Sequence, residues 1–261
     1  MKPLEIKHRV IGEGEPLICV PVVEQDTQSV IREITYLSQS TADMIEWRVD
    51  AFRDFTDYNA IRSVFEAVAP LLGEKLFLYT FRTAHQGGMA QVNAEQLNDL
   101  HDLAAESGCV DLVDLEFFEE DRPLHKIKRL REMGVSVIAS HHDFEQTPPP
   151  EVMKMLLEKM CAGGADIVKL AVMPQNYKDV LNLLDVTAQF KEENPDTPVI
   201  TMSMGALGGI SRVCGETFGS CVTFGAHEKP SAPGQFAMKE LRQMLDTIHA
   251  SSQTPQDQQN R

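Results

Sequence analysis

The chain is short of basic residues and of cysteine, and each shortage excludes a class of function. Its 261 residues include 24 Lys and Arg against 39 Asp and Glu, a formal net charge of -15. Nucleic-acid binding needs a basic patch, so no nucleic-acid partner is expected, and an anionic substrate must find positive charge gathered locally. The five cysteines (Cys19, Cys109, Cys161, Cys214 and Cys221) are odd in number, scattered and free of any CxxC pair. They read as reduced packing residues rather than disulfides or zinc ligands. No apolar run approaches membrane-spanning length, and Met1-Lys2-Pro3-Leu4-Glu5 lacks the apolar core of a signal peptide, so a cytoplasmic protein with no membrane partner is expected. There is no GxGxxG after the first apolar run and no GxxxxGK[ST] anywhere, which weighs against nucleotide-binding folds.

What the chain does have is a rhythm. After a segment (residues 1–15) that reads as a small hairpin, apolar strand candidates fall at Leu17–Val23, Met44–Val49, Leu76–Phe81, Leu112–Phe117, Val135–Ala139, Ile167–Val172, Val199–Met204 and Cys221–Phe224. Helix-period segments lie between them at Thr27–Ser38, Tyr58–Leu72, Ala94–Ser107, Leu124–Met133, Pro149–Ala162, Asn176–Lys191 and Gln235–Ala250, with a glycine-crowded seventh between Gly205 and Gly219. Asn93 with Gln96, Asp121 before Pro123, and Thr147 before three prolines read as helix starts; Gly73, Gly108, Gly134 and Gly163 read as stops. Strict alternation over eight units predicts an α/β fold, a (β/α)8 TIM barrel forming one domain over residues 1–250, with an open doubly wound sheet as the alternative. The tail Ser251–Arg261 is polar and reads as disordered.

One lysine breaks the apolar pattern. Lys169 sits inside Ala165-Asp166-Ile167-Val168-Lys169-Leu170-Ala171-Val172, a run that reads as a buried parallel strand. Burial disfavours an ammonium, so its pKa should fall and its amine should become nucleophilic toward carbonyls; the alternative is an edge-strand lysine whose head reaches water. In a barrel, functional side chains collect at the C-terminal ends of strands. Glu46 and Arg48 share one face there, Arg82 closes the third strand, Asp114 and Glu116 the fourth, His142 the fifth, and Met202 and Met204 the seventh, with Arg212 in the next loop. Charges with purely structural roles would not be expected to choose the same end each time. The alternatives are a solvated Glu46–Arg48 pair, a capping role for Asp114 and Glu116, and methionines that merely fill the core. His141-His142-Asp143 does not make a metal site, because adjacent strand residues face opposite sides and no further ligands complete a set. The loop His227–Phe236, with two prolines and a glycine, reads either as a lid over the site or as an ordinary connection.

Taken together, the stretches Glu46-Trp47-Arg48-Val49-Asp50, Thr80-Phe81-Arg82, Asp114-Leu115-Glu116, Ser140-His141-His142-Asp143-Phe144, Lys169-Leu170-Ala171-Val172-Met173-Pro174, Thr201-Met202-Ser203-Met204-Gly205, Ser211-Arg212 and Ser231-Ala232-Pro233-Gly234-Gln235 resemble the type I 3-dehydroquinate dehydratases, from about Leu4 to Ala250. The resemblance implies a homodimeric barrel without a cofactor, dehydrating 3-dehydroquinate to 3-dehydroshikimate. It casts Lys169 as the Schiff-base lysine and His142 as the proton donor and acceptor. Arg212, Ser231 and Gln235 would hold the substrate carboxylate, Glu46, Arg48 and Arg82 its hydroxyls, and Met202, Met204 and Phe224 would wall its ring. Asp114 and Glu116 take supporting places. Two positions depart from the family. Gln86 stands where relatives often carry a glutamate that hydrogen-bonds the catalytic histidine; it can still accept a hydrogen bond but lends no charge, so His142 should be harder to protonate. Pro21 replaces a serine found in some relatives, with little consequence expected. Two rival readings are a class I aldolase on the same barrel and a catalytically weak quinate-binding sensor.

Overall fold

The computed structural model describes residues 4–252. Strands β1 (Glu5–Ile6) and β2 (Arg9–Val10) pair antiparallel, and Lys7 and His8 make the tight turn between them at φ 47° and 63°. This is the expected hairpin. Its apolar residues Leu4, Ile6 and Ile11 pack against the core inside the sheet that follows, so it plugs one end of that sheet.

Eight parallel strands then follow: β3 (Leu17–Val22), β4 (Met44–Arg48), β5 (Leu76–Thr80), β6 (Leu112–Glu116), β7 (Ser136–Asp143), β8 (Ile167–Val172), β9 (Val199–Ser203) and β10 (Val222–Phe224). They pair in sequence order, with β10 beside β3. The Cys221 N–H donates to the Val199 carbonyl at 2.8 Å, bringing the two remaining edges together. The result is a (β/α)8 barrel. Around it run α1 (Thr27–Ser38), α2 (Tyr58–Val68), α3 (Ala94–Glu106), α4 (Pro123–Glu132), α5 (Pro150–Ala162), α6 (Tyr177–Glu193), the single turn α7 (Gly215–Phe218) and α8 (Met238–Ser252).

Alternation along each strand divides the apolar residues into two cores. Ile45, Trp47, Phe77, Tyr79, Val113, Val137, Val168 and Leu170 point outward and pack under the helices. Met44, Leu76, Leu112, Ile138, Ile167 and Ile200 point inward and fill the lower barrel. Above that inner layer the inward positions turn polar, as a site at the strands' C-terminal ends requires. The lower rim has its own pattern. Asp43, Asp111 and Asp166 each precede an even-numbered strand, and their carboxylates accept the backbone N–H groups of Ile18, Phe77 and Val137 at 2.9, 2.7 and 2.8 Å. Three residues after each aspartate comes Glu46, Asp114 or Lys169 at the mouth. A strand rises about 3.3 Å per residue, so each such strand spans from a rim acceptor to a functional group.

Several local expectations need correction. β7 does not stop at Ala139 but continues to Asp143, because its polar end stays paired with β8 through Asp143 and Val172. α4 starts after Arg122 and α5 after Pro149 without a side-chain cap, so neither Asp121 nor Thr147 caps a helix. α2 ends at Val68, and a 3-10 turn containing Pro70 follows where a continuous helix to Leu72 was expected. Gly164, not Gly163, takes the left-handed conformation after α5. The seventh helix is a 3-10 turn, Gly209–Arg212, followed by the short α7. α8 begins at Met238 rather than Gln235 and includes Ser251 and Ser252, whereas the rest of the expected tail lies outside the described residues.

Candidate active site

Lys169, midway along β8, points into the barrel and is 3% exposed. It is not the isolated amine that its apolar run suggests. Its Nζ lies 3.0 Å from the Asp114 carboxylate on β6 and 4.5 Å from the centre of the Phe224 ring on β10. An amine held in that ion pair must give up its proton before it can attack a carbonyl. Asp114 also accepts from Arg82 at 2.8 Å and from the Ser140 hydroxyl at 2.5 Å. Burial alone would raise the Asp114 carboxyl, but the Arg82 and Lys169 charges and the nearby His142 hold it far below the usual carboxylate range. Arg82 reaches on to Glu116 at 3.0 Å and Ser140 at 3.1 Å. Despite burial, which lowers it, Asp114 and Glu116 raise the Arg82 pKa further, so its guanidinium is a fixed positive charge.

Glu46 and Arg48 do not pair with each other as the solvated-pair alternative supposes. Glu46 accepts from the Thr80 hydroxyl at 2.8 Å, and Arg48 makes a two-pronged bond to Asp50 with both contacts at 2.8 Å. Both line the mouth and are buried.

His142, near the end of β7, faces the same space, whereas His141 points outward with its ring edge-on to Phe118 at 5.4 Å. The Gln86 Oε1 accepts from the His142 backbone N–H at 2.9 Å and lies 3.0 Å from its Nδ1. The backbone N–H can only donate, which fixes the orientation of the amide. Nδ1 therefore carries the ring proton, and Nε2 is left as a bare lone pair in the site. Burial, then the Arg82 and Lys169 charges, hold His142 well below the usual histidine value, so the imidazole is neutral at pH 7. Asp114 opposes this shift and Arg48 adds to it.

Met202, Met204 and Phe224 wall the space, and Ser231 and Gln235 cover it. Ser231 and Gln235 hydrogen-bond each other, the backbone N–H to Gln235 Oε1 at 2.8 Å and Gln235 Nε2 to the hydroxyl at 3.1 Å. Their loop is docked. The Pro233 carbonyl accepts from the Gly205 N–H at 3.1 Å and from Arg212 Nη2 at 2.9 Å. Gly234 follows at φ 77°, and a Cβ there would meet the Gly205 carbonyl oxygen at 2.3 Å. Arg212 is 1% exposed, and its Nε and Nη1 have no hydrogen-bond partner among the described residues. Burial pushes it down to about 10, so it remains a cation at neutral pH with two donors unspent. Such donors suit a carboxylate.

The structure brings Glu46, Arg48, Arg82, Gln86, His142, Lys169, Met202, Met204, Phe224, Ser231 and Gln235 around one space; Asp114 and Glu116 stand behind Lys169 and Arg82, and Arg212 does not line the space but joins its cover through the Pro233 carbonyl. It adds Phe144, whose ring stacks on His142 at 6.3 Å, along with Gly87, Ala171 and Ala232. Ser140 was also missed as a link between Arg82 and Asp114; its place two residues before His142, on the same face of the strand, was the available signal. A larger groove between α3 and α4 holds Lys126 and Arg129, but both are already paired with Asp102. Among the described residues no group of three His, Cys, Asp or Glu side chains is arranged to hold a metal ion.

Eight parallel strands with this polar cluster at their C-terminal ends define a (β/α)8-barrel enzyme. The chain belongs to the type I 3-dehydroquinase family, whose model matches residues 18–252. It is 41% identical over 250 residues to a 3-dehydroquinate dehydratase of Syntrophotalea carbinolica, covering 95% of this chain and 99% of that one. A type I 3-dehydroquinate dehydratase of Clostridium difficile, solved with covalently modified comenic acid, superposes with a TM-score of 0.92 at 39% identity, covering 96% of this chain and 99% of that one. The Geobacillus kaustophilus 3-dehydroquinate dehydratase superposes with a TM-score of 0.93 at 35% identity, covering 97% and 98%.

Proposed function

We propose that this chain dehydrates 3-dehydroquinate to 3-dehydroshikimate through an imine on Lys169, with His142 moving the proton. The observation that carries the reading is the buried Lys169 placed in one space with a neutral His142 whose Nε2 is free. Lys169, once deprotonated, attacks the ketone carbon, and loss of water gives a protonated imine. That imine acidifies the adjacent C–H. His142 Nε2 takes the proton, leaving an enamine, and then returns it to the hydroxyl on the next carbon, which departs as water. Hydrolysis of the conjugated imine frees the product and restores the lysine, so the net change is loss of one water.

The fixed groups divide the substrate between them. Arg212 offers Nε and Nη1 to the carboxylate, with Ser231 and Gln235 beside it. Glu46, Arg48 and Arg82 hold the hydroxyls, and Met202, Met204 and Phe224 flank the ring. Asp114 keeps Lys169 and Arg82 in place, and Glu116 keeps Arg82. The chain carries this chemistry without a cofactor, as one domain over residues 1–250, in the cytoplasm and as a homodimer; sedimentation at the mass of one chain would remove the last point.

Borohydride reduction in the presence of 3-dehydroquinate, followed by peptide mapping, is the decisive experiment. The expected result is one reduced adduct, on Lys169. An adduct on another residue, or none, overturns the mechanism.

A further inference from the structure

We propose that Asp50 is a positioning residue of this site: its carboxylate holds Arg48 in the mouth and closes the base of the 82–89 loop, so that Gln86 reaches His142. The inference rests on the reading above. Asp50 lies on a 3-10 turn, Val49–Ala51, just past the end of β4, and is 3% exposed. A carboxylate has about four lone-pair positions, and here four donors fill them. Oδ1 accepts from Arg48 Nε at 2.8 Å and from the Arg82 backbone N–H at 3.2 Å. Oδ2 accepts from Arg48 Nη2 at 2.8 Å and from the Met89 backbone N–H at 3.0 Å. Each oxygen thus takes one bond from the arginine and one from the loop.

The two loop donors are its first and last residues. Between them the chain turns tightly. The Gly88 N–H donates to the Thr83 carbonyl at 2.8 Å, the Ala84 N–H to the Ala90 carbonyl at 3.1 Å, and a Cβ on Gly88 would lie 1.8 Å from the Arg82 carbonyl oxygen. Glu116 steadies the first limb through the Thr83 N–H at 2.9 Å and hydroxyl at 2.7 Å. The second limb has the Asp50 bond at Met89, a residue that is 61% exposed. Gln86 rides at the tip of this loop, on the 3-10 turn Ala84–Gln86. Through it Asp50 sets which ring nitrogen of His142 bears the proton.

The test compares Asp50→Asn with Arg48→Met. Asparagine keeps the size but replaces one acceptor oxygen with an NH2, which then confronts N–H donors on both the arginine and the loop. For Asp50→Asn, kcat on 3-dehydroquinate falls about tenfold to a hundredfold, the scale of a misplaced catalytic group. The 15N signals of His142 lose the Nδ1–H pattern, and borohydride still traps the substrate on Lys169. Arg48→Met removes the arginine and leaves the loop bonds, so KM rises and the His142 tautomer is kept. The other groups facing His142 (Arg82, Lys169 and Asp114 by charge, Phe144 by stacking) are the same in both variants. If Asp50→Asn retains kcat and the tautomer, or only raises KM as Arg48→Met does, the proposal is overturned. Should Asp50→Asn fail to fold, hydrogen exchange in the wild-type protein decides: a Met89 amide protected like those of the barrel strands supports the clamp, and rapid exchange refutes it. A wild-type chain inactive on 3-dehydroquinate would fail the functional reading, while the amide and tautomer measurements would still judge Asp50.

Discussion

Asp43 at the base of the barrel and Asp114 at its mouth each hold two cations, but in different surroundings. Asp43 binds Arg9 and Arg242, whose side chains are 31% and 22% exposed, and accepts the Ile18 N–H. Asp114 binds Arg82 and Lys169, whose side chains are each 4% exposed, and accepts the Ser140 hydroxyl. Partly exposed ion pairs contribute about 1 kcal/mol or less, the same order as the backbone N–H that Asp43 also satisfies. Buried pairs must recover several kcal/mol of lost hydration for each ion, and apolar residues of similar shape would often serve stability as well. The base therefore uses charge to hold strands in place. The mouth keeps costly charge because the chemistry needs it there.

Four substitutions test that division. The largest effect belongs to Lys169→Met, which leaves Asp114 paired with Arg82 and removes the nucleophile. Turnover, followed by the ultraviolet absorbance of the conjugated product, should fall by more than about a thousandfold while the thermal midpoint holds or rises. A large loss of stability with partial activity would break the comparison. Arg212→Lys comes next: a point charge cannot hold both the Pro233 carbonyl and a carboxylate as the planar fork can, so KM should rise about tenfold to a hundredfold with a smaller change in kcat. At the base, Asp43→Ala should cost about 2 kcal/mol, or about 4–8 °C in the melting midpoint, and leave kcat/KM within about twofold. A loss of activity at the melting point of the parent would show that the base reaches the chemistry.

The smallest effect sharpens the mouth itself. His142 acts as a base only when neutral, and burial with the Arg82 and Lys169 charges holds it well below the ordinary histidine value. The acidic limb of the kcat profile should therefore fall below pH 6.5, the unperturbed value. Gln86→Glu adds a negative charge at the Nδ1 contact, which favours imidazolium and moves that limb to higher pH by about one unit. An unchanged profile would show that Gln86 acts on His142 through geometry alone.

Local pattern carried much of this molecule. α1 runs from Thr27 to Ser38 as its periodicity predicts, and the Asn93–Gln96 capping box is present. The inward positions Glu46, Arg48, His142 and Lys169, and Asp114 paired with that lysine, could be read because a strand's two faces alternate. Other features depend on partners far along the chain. Polar residues after Ala139 looked like the end of a strand, and only pairing with β8 shows that β7 continues. Lys169 looked like a lone amine because Asp114 is 55 residues away. The loop composition left lid and connection undecided because its docking runs through the Pro233 carbonyl, a main-chain atom that every residue type supplies. Asp50 was visible as part of a motif, but its four donors come from two segments that sequence spacing cannot align.

That carbonyl also bears on how the covering loop can diverge. Side-chain replacement cannot delete a main-chain acceptor, so the bond from Gly205 to Pro233 persists whatever residues occupy the rest of the loop, provided the compact glycine at position 234 remains. Residues 228–230 are exposed and lie outside this contact. Mutational drift can accumulate there without undocking the cover, which leaves the outer surface of the loop open to variation while its inner edge stays in register with the barrel.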